Sequence, residues 1–281
     1  MNKVANLNQD SKFKSLFASF AIPVLVVVGI CIYLFVLGNP SNFEGADSKN
    51  HPVPDGIGHV LGLIYKGGFI VPILISLVLM SITFSIERFL TINKASGKGP
   101  AEEFVRKVQG QLATGNIQNA IAECDKQQGS VANVVKAVLH KYSEMDAASD
   151  MDKDSKVLAI QKELEESVSL ELPMLEKNLV IIATMASVST LIALLGTVLG
   201  MIKAFSALAT AGSPDSVALA NGISEALINT ALGIGNSAIA IIMYNVFTTK
   251  IDKITYTIDE AGFSITQQFA AAHGKKAASG N

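Results

Sequence analysis

The sequence predicts an all-α polytopic membrane protein with four transmembrane helices and long helices that extend into the cytoplasm. Three observations predict it. Four long windows carry no charged residue: Ser15–Phe43, Gly67–Ile86, Asn178–Ile202 and Ala226–Thr249. A bilayer core needs about 20 apolar residues in a helix, and each window supplies them. The chain is 49% hydrophobic and 16% charged, whereas an average soluble domain carries roughly 25% charge. No segment of any length alternates apolar and polar residues with the period of a strand. Buried core helices of a soluble protein are the competing reading, but those are shorter and interrupted by charge.

The elements follow in order. Residues 1–14 are polar and contain Lys3, Lys12 and Lys14. The first span, 15–38, has a long polar lead-in and no A-x-A site after it, so it reads as a retained anchor and not as a signal peptide. Residues 39–66 are rich in Gly, Pro and Asn and read as a loop. The second span is 67–92, with Glu87 and Arg88 expected to cap it at the inner interface. Residues 93–177 form a polar helical region. Gly97–Pro100 is a linker, and Ala101–Leu112, Ile117–Lys126 and Ser130–Tyr142 read as helices. Ala147–Asp154 is a polar break. From Ser155 an amphipathic pattern runs straight into the third span, 178–209; Pro173 bends that helix without ending it. The charge-rich run Lys153–Glu166 reads as a solvated face. The turn 210–216 (TAGSPDS) is short, so the third span and the fourth, 217–249, form an antiparallel hairpin. Residues 250–281 continue as a helix and end in a flexible tail, AAAHGKKAASGN.

Lys and Arg gather before the first span, after the second and after the fourth. The other side holds only Lys49, Lys66 and Lys203. The positive-inside rule therefore places both termini in the cytoplasm. Lys203, near an outer helix end, is expected to snorkel to the surface, with a counter-charge role toward Glu225 as the second reading.

Composition also excludes classes. The formal net charge is −2, and no basic patch interleaved with aromatics points to nucleic acid. There is no phosphate loop, no dinucleotide glycine pattern, no Cys/His metal spacing and no nucleophile elbow, so neither an enzyme nor a cofactor is expected. His51, His59, His140 and His273 are scattered and read as solvated. Cys31 lies in the first span and Cys124 in the polar middle, so an intrachain disulfide is not expected.

The informative stretch is Leu179–Phe247. At 100° per residue, Ala183, Ala186, Thr190, Ala193, Thr197, Gly200 and Ala204 share a small, weakly polar face of the third span. In the fourth, Gly222, Glu225, Ala226, Asn229, Thr230, Gly233, Asn236, Ser237, Ala240 and Tyr244 form one wide stripe. Close helix packing explains the small residues. It does not explain Glu225, which lies about two turns into the span, roughly 12 Å at 1.5 Å per residue. A carboxylate at that depth is costly unless it faces water or a partner, and such residues are functional by default. Packing and a water-accessible lumen can share the stripe. Asn229, Thr230, Asn236 and Thr197 do not titrate near neutral pH but can orient water. If protons move here, a second titratable group has to come from another subunit.

The segment LLGTVLGMIKAF, then ISEALINTALGI and YNVF, resembles the core of the MotA/TolQ/ExbB proton channel family, with ExbB and TolQ most similar. The resemblance is looser at ERF (Glu87–Phe89) and LEKNL (Leu175–Leu179). It implies a homopentameric ring in the bacterial inner membrane, so that residues 39–66 and 210–216 would be periplasmic. The ring would enclose the single helices of an ExbD-like dimer, which brings a membrane aspartate. Proton flow would drive a motor that energises a TonB-like protein and outer-membrane transport. On the family motif, Thr197 and Thr230 would line the proton path, and Glu225 would tune the field at its outer side. Asn229, Thr190 and Asn236 complete the expected pore lining, and Tyr244 with Asn245 would organise its inner half. The chain departs from the family in several places. Thr190 stands where Pro is frequent, Ala238-Ile239-Ala240 lacks the usual Pro, and Asn236 and Ser237 are more polar. The first span is a fourth added to the usual three; it either holds a further subunit at the ring periphery or only anchors. The Lys153–Glu166 helix would form a skirt of the ring. The load stays open between TonB-linked transport, TolQ-like envelope maintenance and motility, with a non-conducting scaffold as the remaining reading.

Overall fold

The computed structural model describes residues 18–48, 50–209 and 215–278. The N-terminal segment 1–14, most of the turn 210–216 and the last three residues lie outside the described residues. Helices build the protein; among the described residues the only β feature is an isolated Phe43–Pro52 bridge. Among the described residues, four helices are long and apolar enough to cross a membrane. The protein is therefore an all-α multi-pass membrane protein. It divides into two compact units, one of residues 1–86 with 180–244, the other of residues 87–179 with 245–281.

The first unit holds the spans. Helix α1 (Ala18–Leu37) ends in a π-helical stretch, Ile32–Leu37. Its terminal carbonyls need donors, and Asn42 supplies them: its Nδ2 donates to the oxygens of Val36 at 2.8 Å and Leu37 at 3.0 Å. Residues 39–66, expected to be a loop, instead contain helix α2 (Gly56–Tyr65). Its glycines disguise it, yet one is needed for packing. A Cβ on Gly62 would stand 2.8 Å from the Asn42 oxygen. Tyr65 closes this cap, stacking on Tyr33 at 4.7 Å and meeting Phe43 edge-on at 5.5 Å. Helix α3 (Val71–Ala95) follows. It touches α1 closely, because a Cβ on Gly29 would lie 3.1 Å from the Ser76 nitrogen.

Helix α8 (Leu179–Leu208) and the outer part of helix α9 (Ser216–Ala278) form the hairpin. Asp215 caps α9, its carboxylate accepting from the backbone of Val217 at 3.0 Å and Ala218 at 2.9 Å. The two helices run in backbone contact. A Cβ on Gly200 would sit 2.8 Å from the Ala226 nitrogen, and one on Gly222 would sit 2.7 Å from the Ala204 nitrogen. Without a hydrophobic drive in lipid, this close approach is what holds two helices together.

The second unit is a helical bundle. It contains helices α4 (Ala101–Ala113), α5 (Ile117–Gln127), α6 (Gly129–Ala147) and α7 (Lys153–Glu176), with the end of α9. Along α9, Ile251, Ile254, Ile258, Ala261, Ile265 and Phe269 are all buried. Their spacing of three or four residues makes one apolar stripe, and Gly262 lets Leu164 of α7 lie against it. Cys124 is packed here, and burial pushes its thiol up to about 12.

Five expectations are corrected in this unit. The helix from Ser155 does not run straight into the third span; α7 ends at Glu176, and Asn178 takes a positive φ of 65°. Glu87 and Arg88 do not cap the second span, because α3 continues to Ala95. Arg88 is instead 2% exposed, pairs with Glu87 and reaches the oxygens of Met174 at 3.4 Å and Leu175 at 3.3 Å. Those are last-turn carbonyls that the end of α7 leaves without helical donors, and Asn178 donates to Glu87 at 3.2 Å. The C-terminal stretch is helical through Ala278. There His273 is not solvated: it stacks on Phe269 at 4.1 Å and pairs with Asp146 at 3.1 Å. On the charged face of α7, Lys156 is buried and donates to the Ala148 oxygen.

Two outcomes follow. Gly222→Ala puts a methyl against backbone atoms that have nowhere to go and should cost about 1–3 kcal/mol, read as a lower thermal midpoint in detergent. Gly235→Ala meets nothing within 4 Å and should leave the midpoint unchanged or raised. Iodoacetamide near pH 8 should leave Cys124 unlabelled in the folded protein, since a raised thiol pKa leaves almost no thiolate. It should label Cys124 after denaturation; equal labelling in both states would contradict the packing.

Candidate functional site

The contact line of the hairpin sets where each polar side chain stands. On α8 it runs through Ala186, Ser189, Ala193, Gly196, Gly200 and Ala204, all buried. Thr190 and Thr197 flank this line and are half-buried. The face expected from helical spacing puts both threonines on the line itself and omits Ser189 and Gly196. The small-residue spacing 189, 193, 196, 200, 204 is the signal that finds them. On α9, Gly222, Ala226, Asn229, Gly233, Asn236 and Ala240 are buried, with Thr230 and Tyr244 half-buried.

Three polar groups succeed one another along the hairpin. The outer group centres on Glu225, which is 7% exposed. The ammonium of Lys203 donates to both of its carboxylate oxygens, at 2.7 and 2.9 Å. Lys203 therefore does not simply snorkel; the counter-charge reading is the one the structure realises. Gly68, at φ 78°, passes so close that a Cβ there would collide with the carboxylate. One turn on, Asn229 donates to the Gly67 oxygen at 2.9 Å. Gly196 gives Asn229 its space, since a Cβ at 196 would lie 2.8 Å from the Asn229 side chain.

The middle group is Thr197 and Thr230, whose hydroxyl oxygens are 2.5 Å apart. Each also lies within reach of its own i−4 carbonyl, Ala193 at 3.0 Å and Ala226 at 2.9 Å. Two hydroxyl protons face three acceptor contacts, so one contact at a time goes without a proton. The proton positions of the pair can exchange without moving a heavy atom.

The inner group is built on Asn236 and Ser237. Asn236 donates to Ser189 at 2.7 Å, and Ser237 donates to the Ala186 oxygen at 2.6 Å. Beside them a cavity of about 320 Å³ opens between the helices, lined by Thr190, Tyr244, Ser187 and Ile241 among others. The side-chain oxygens of Asn229 and Asn236 are buried and accept no hydrogen bond among the described residues. Such open acceptors are uncommon in folded proteins. They give the hairpin a reserve of hydrogen-bonding capacity at lipid depth.

Taken together, Thr197 and Thr230 meet, Glu225 and Asn229 close on the start of α3, and Asn236, Thr190 and Tyr244 gather at the inner end. The outward faces are apolar: Leu191, Leu194, Val198, Ile202 and Phe205 on α8, and Leu227, Ile234 and Ile242 on α9, are all exposed. They suit acyl chains or neighbouring copies.

Comparison with known proteins finds similarity over the stretch that contains this hairpin. Residues 127–260 match the MotA/TolQ/ExbB proton channel family. The Tol-Pal system protein TolQ of Pseudomonas aeruginosa is 31% identical over 124 residues, 44% of this chain and 54% of that protein. The biopolymer transport protein ExbB of Salmonella typhimurium is 30% identical over 84 residues, 30% of this chain and 34% of that protein. A putative biopolymer transport protein ExbB homolog of Methanothermobacter thermautotrophicus is 24% identical over 201 residues, 72% of this chain and 67% of that protein. The chain thus spans about half the length of the TolQ relative and a third of the Salmonella ExbB. The matched stretch holds the whole hairpin, the threonine pair and the buried amides, and over it this chain is similar to the MotA/TolQ/ExbB proton channel family.

Proposed function

We propose that this chain is the ring-forming subunit of a proton-driven motor in the bacterial inner membrane. In this reading copies of the chain form a homopentamer around an ExbD-like dimer, with both termini in the cytoplasm. The motor uses the proton motive force to energise a TonB-like protein and transport across the outer membrane. The observation that carries the reading is the Thr197–Thr230 hydroxyl pair, 2.5 Å apart on two membrane helices. Neither hydroxyl titrates near neutral pH, but each keeps its proton and can accept a hydrogen bond on one side while donating on the other, so the pair can pass a proton along a hydrogen-bonded chain. It suits a path in which a carboxylic acid, brought by a single-span partner, takes up and releases the proton beside it. The buried amide oxygens of Asn229 and Asn236 provide acceptors above and below that pair.

A second load has its own support. The match to a Tol-Pal system protein favours TolQ-like envelope maintenance as strongly as the ExbB matches favour transport. The two readings share the hairpin and differ in what the partner pulls on. Growth of a deletion strain on scarce iron complexes, set against its detergent sensitivity, discriminates between them.

The test of the shared mechanism is the Thr197→Val/Thr230→Val variant in proteoliposomes with the co-purified partner. Each hydroxyl contributes a hydrogen bond of about 1 kcal/mol to a conducting arrangement, so proton flux should fall by at least about tenfold. The ring should still assemble, because valine is nearly isosteric with threonine. Full flux in an assembled double variant would remove the pair from the path.

A further inference from the structure

The geometry points to Lys203 as a fixed counter-charge that holds Glu225 in place and keeps it out of the path of transported protons. This rests on the proposed proton-motor reading and deepens it, by saying which membrane acid is not the carrier. Both Glu225 oxygens face the same ammonium, at 2.7 and 2.9 Å. The Glu225 side chain is 9% exposed and that of Lys203 is 53% exposed. The register that joins them is set by backbone contact: each lies three residues beyond a glycine, Gly200 or Gly222, at which α8 and α9 touch. Gly68 lies against the carboxylate and offers no side chain, and the Tyr33 phenol, within electrostatic reach of Glu225, donates its proton to the Tyr65 oxygen at 3.4 Å.

A proton relay needs a neighbour that can both accept and donate. An ammonium donates only, so Glu225 has no relay partner among its described hydrogen bonds. The threonine pair does not reach it either, since Thr230 bonds to Thr197 and to the Ala226 oxygen. What Lys203 and Glu225 do instead is cancel charge. A lone carboxylate here would be buried and uncompensated, whereas Lys203, more than half exposed, can turn to the surface by itself. The two partners are therefore unequal, and their loss should be unequal.

Four variants in the full complex test this: Glu225→Gln, Lys203→Met, the double variant and Lys203→Arg. Folded yield and unfolding in detergent are measured beside proton flux in proteoliposomes. Lys203→Met leaves Glu225 buried and unpaired and should lower the folded fraction under partly denaturing conditions by about tenfold or more. Glu225→Gln should be mild, Lys203→Arg should retain the wild-type midpoint, and adding Glu225→Gln to Lys203→Met should restore folding and flux together. A double variant that assembles but does not conduct would overturn the inference, because Glu225 would then carry protons. Simple addition of the two single effects on unfolding would overturn it as well, because the pair would not be coupled. If the wild-type complex itself does not conduct, the motor reading fails, and the unfolding cycle still decides whether Lys203 holds Glu225.

Discussion

The structure depends on one contact, the backbone approach of α8 to α9 at Gly200 and Gly222. Two helices that touch at this distance have no room for large side chains between them, so the line of contact is small along its whole length. That constraint decides where polarity can go. Polar groups short enough to fit stay in the seam, as Ser189, Asn229, Asn236 and Ser237 do. The two threonines stand just beside it, where their hydroxyls meet across the flank. A wider helix separation would leave the same residues as isolated polar groups in hydrocarbon, at a cost of about 1–3 kcal/mol each.

The same contact manages charge. A carboxylate cannot stand at this depth of a membrane-crossing helix without compensation, and the register of the hairpin brings Lys203 to it. The turn that leads into α3 then closes over the pair with two glycines, Gly67 and Gly68, one accepting from Asn229 and the other making room for Glu225. Helix α3 is thereby tied to the hairpin by backbone groups at its outer end. The cap of residues 39–66, which leads into that end, is held by the ring contacts of Tyr65.

Most of this architecture is legible in the sequence, and the misses have physical reasons. The spans are plain because a soluble core seldom keeps so long a helical window free of charge. The hairpin is plain because the turn between its helices is short and both carry a small-residue face. Helix α2 is hidden by its glycines, which count against a helix in isolation but are required where Gly62 meets Asn42. The break at Lys177–Asn178 is hidden because the apolar period continues across it; what stops the helix is a tertiary arrangement, Glu87 and Arg88 waiting to bond the released groups. The helical C-terminus is hidden where alanine and lysine resemble a tail, although the stripe from Ile251 to Phe269 leads into it and His273 is pinned to Asp146. At the site, residue type and depth single out the threonines and Glu225. They leave Lys203 as only a second reading and Gly68 unnoticed, because both are joined to Glu225 by three-dimensional register and not by spacing along one helix.

The account's central claim is that the flank bearing Thr197 and Thr230 faces water in the assembled protein while the neighbouring apolar faces meet lipid. The most direct measurement is labelling of single cysteines in membranes with a polar thiol reagent, in a Cys31→Ser background, comparing Thr197→Cys with Leu194→Cys. The account predicts ready modification at position 197 and none at 194. An unreactive position 197, or equal labelling at the two sites, would contradict it.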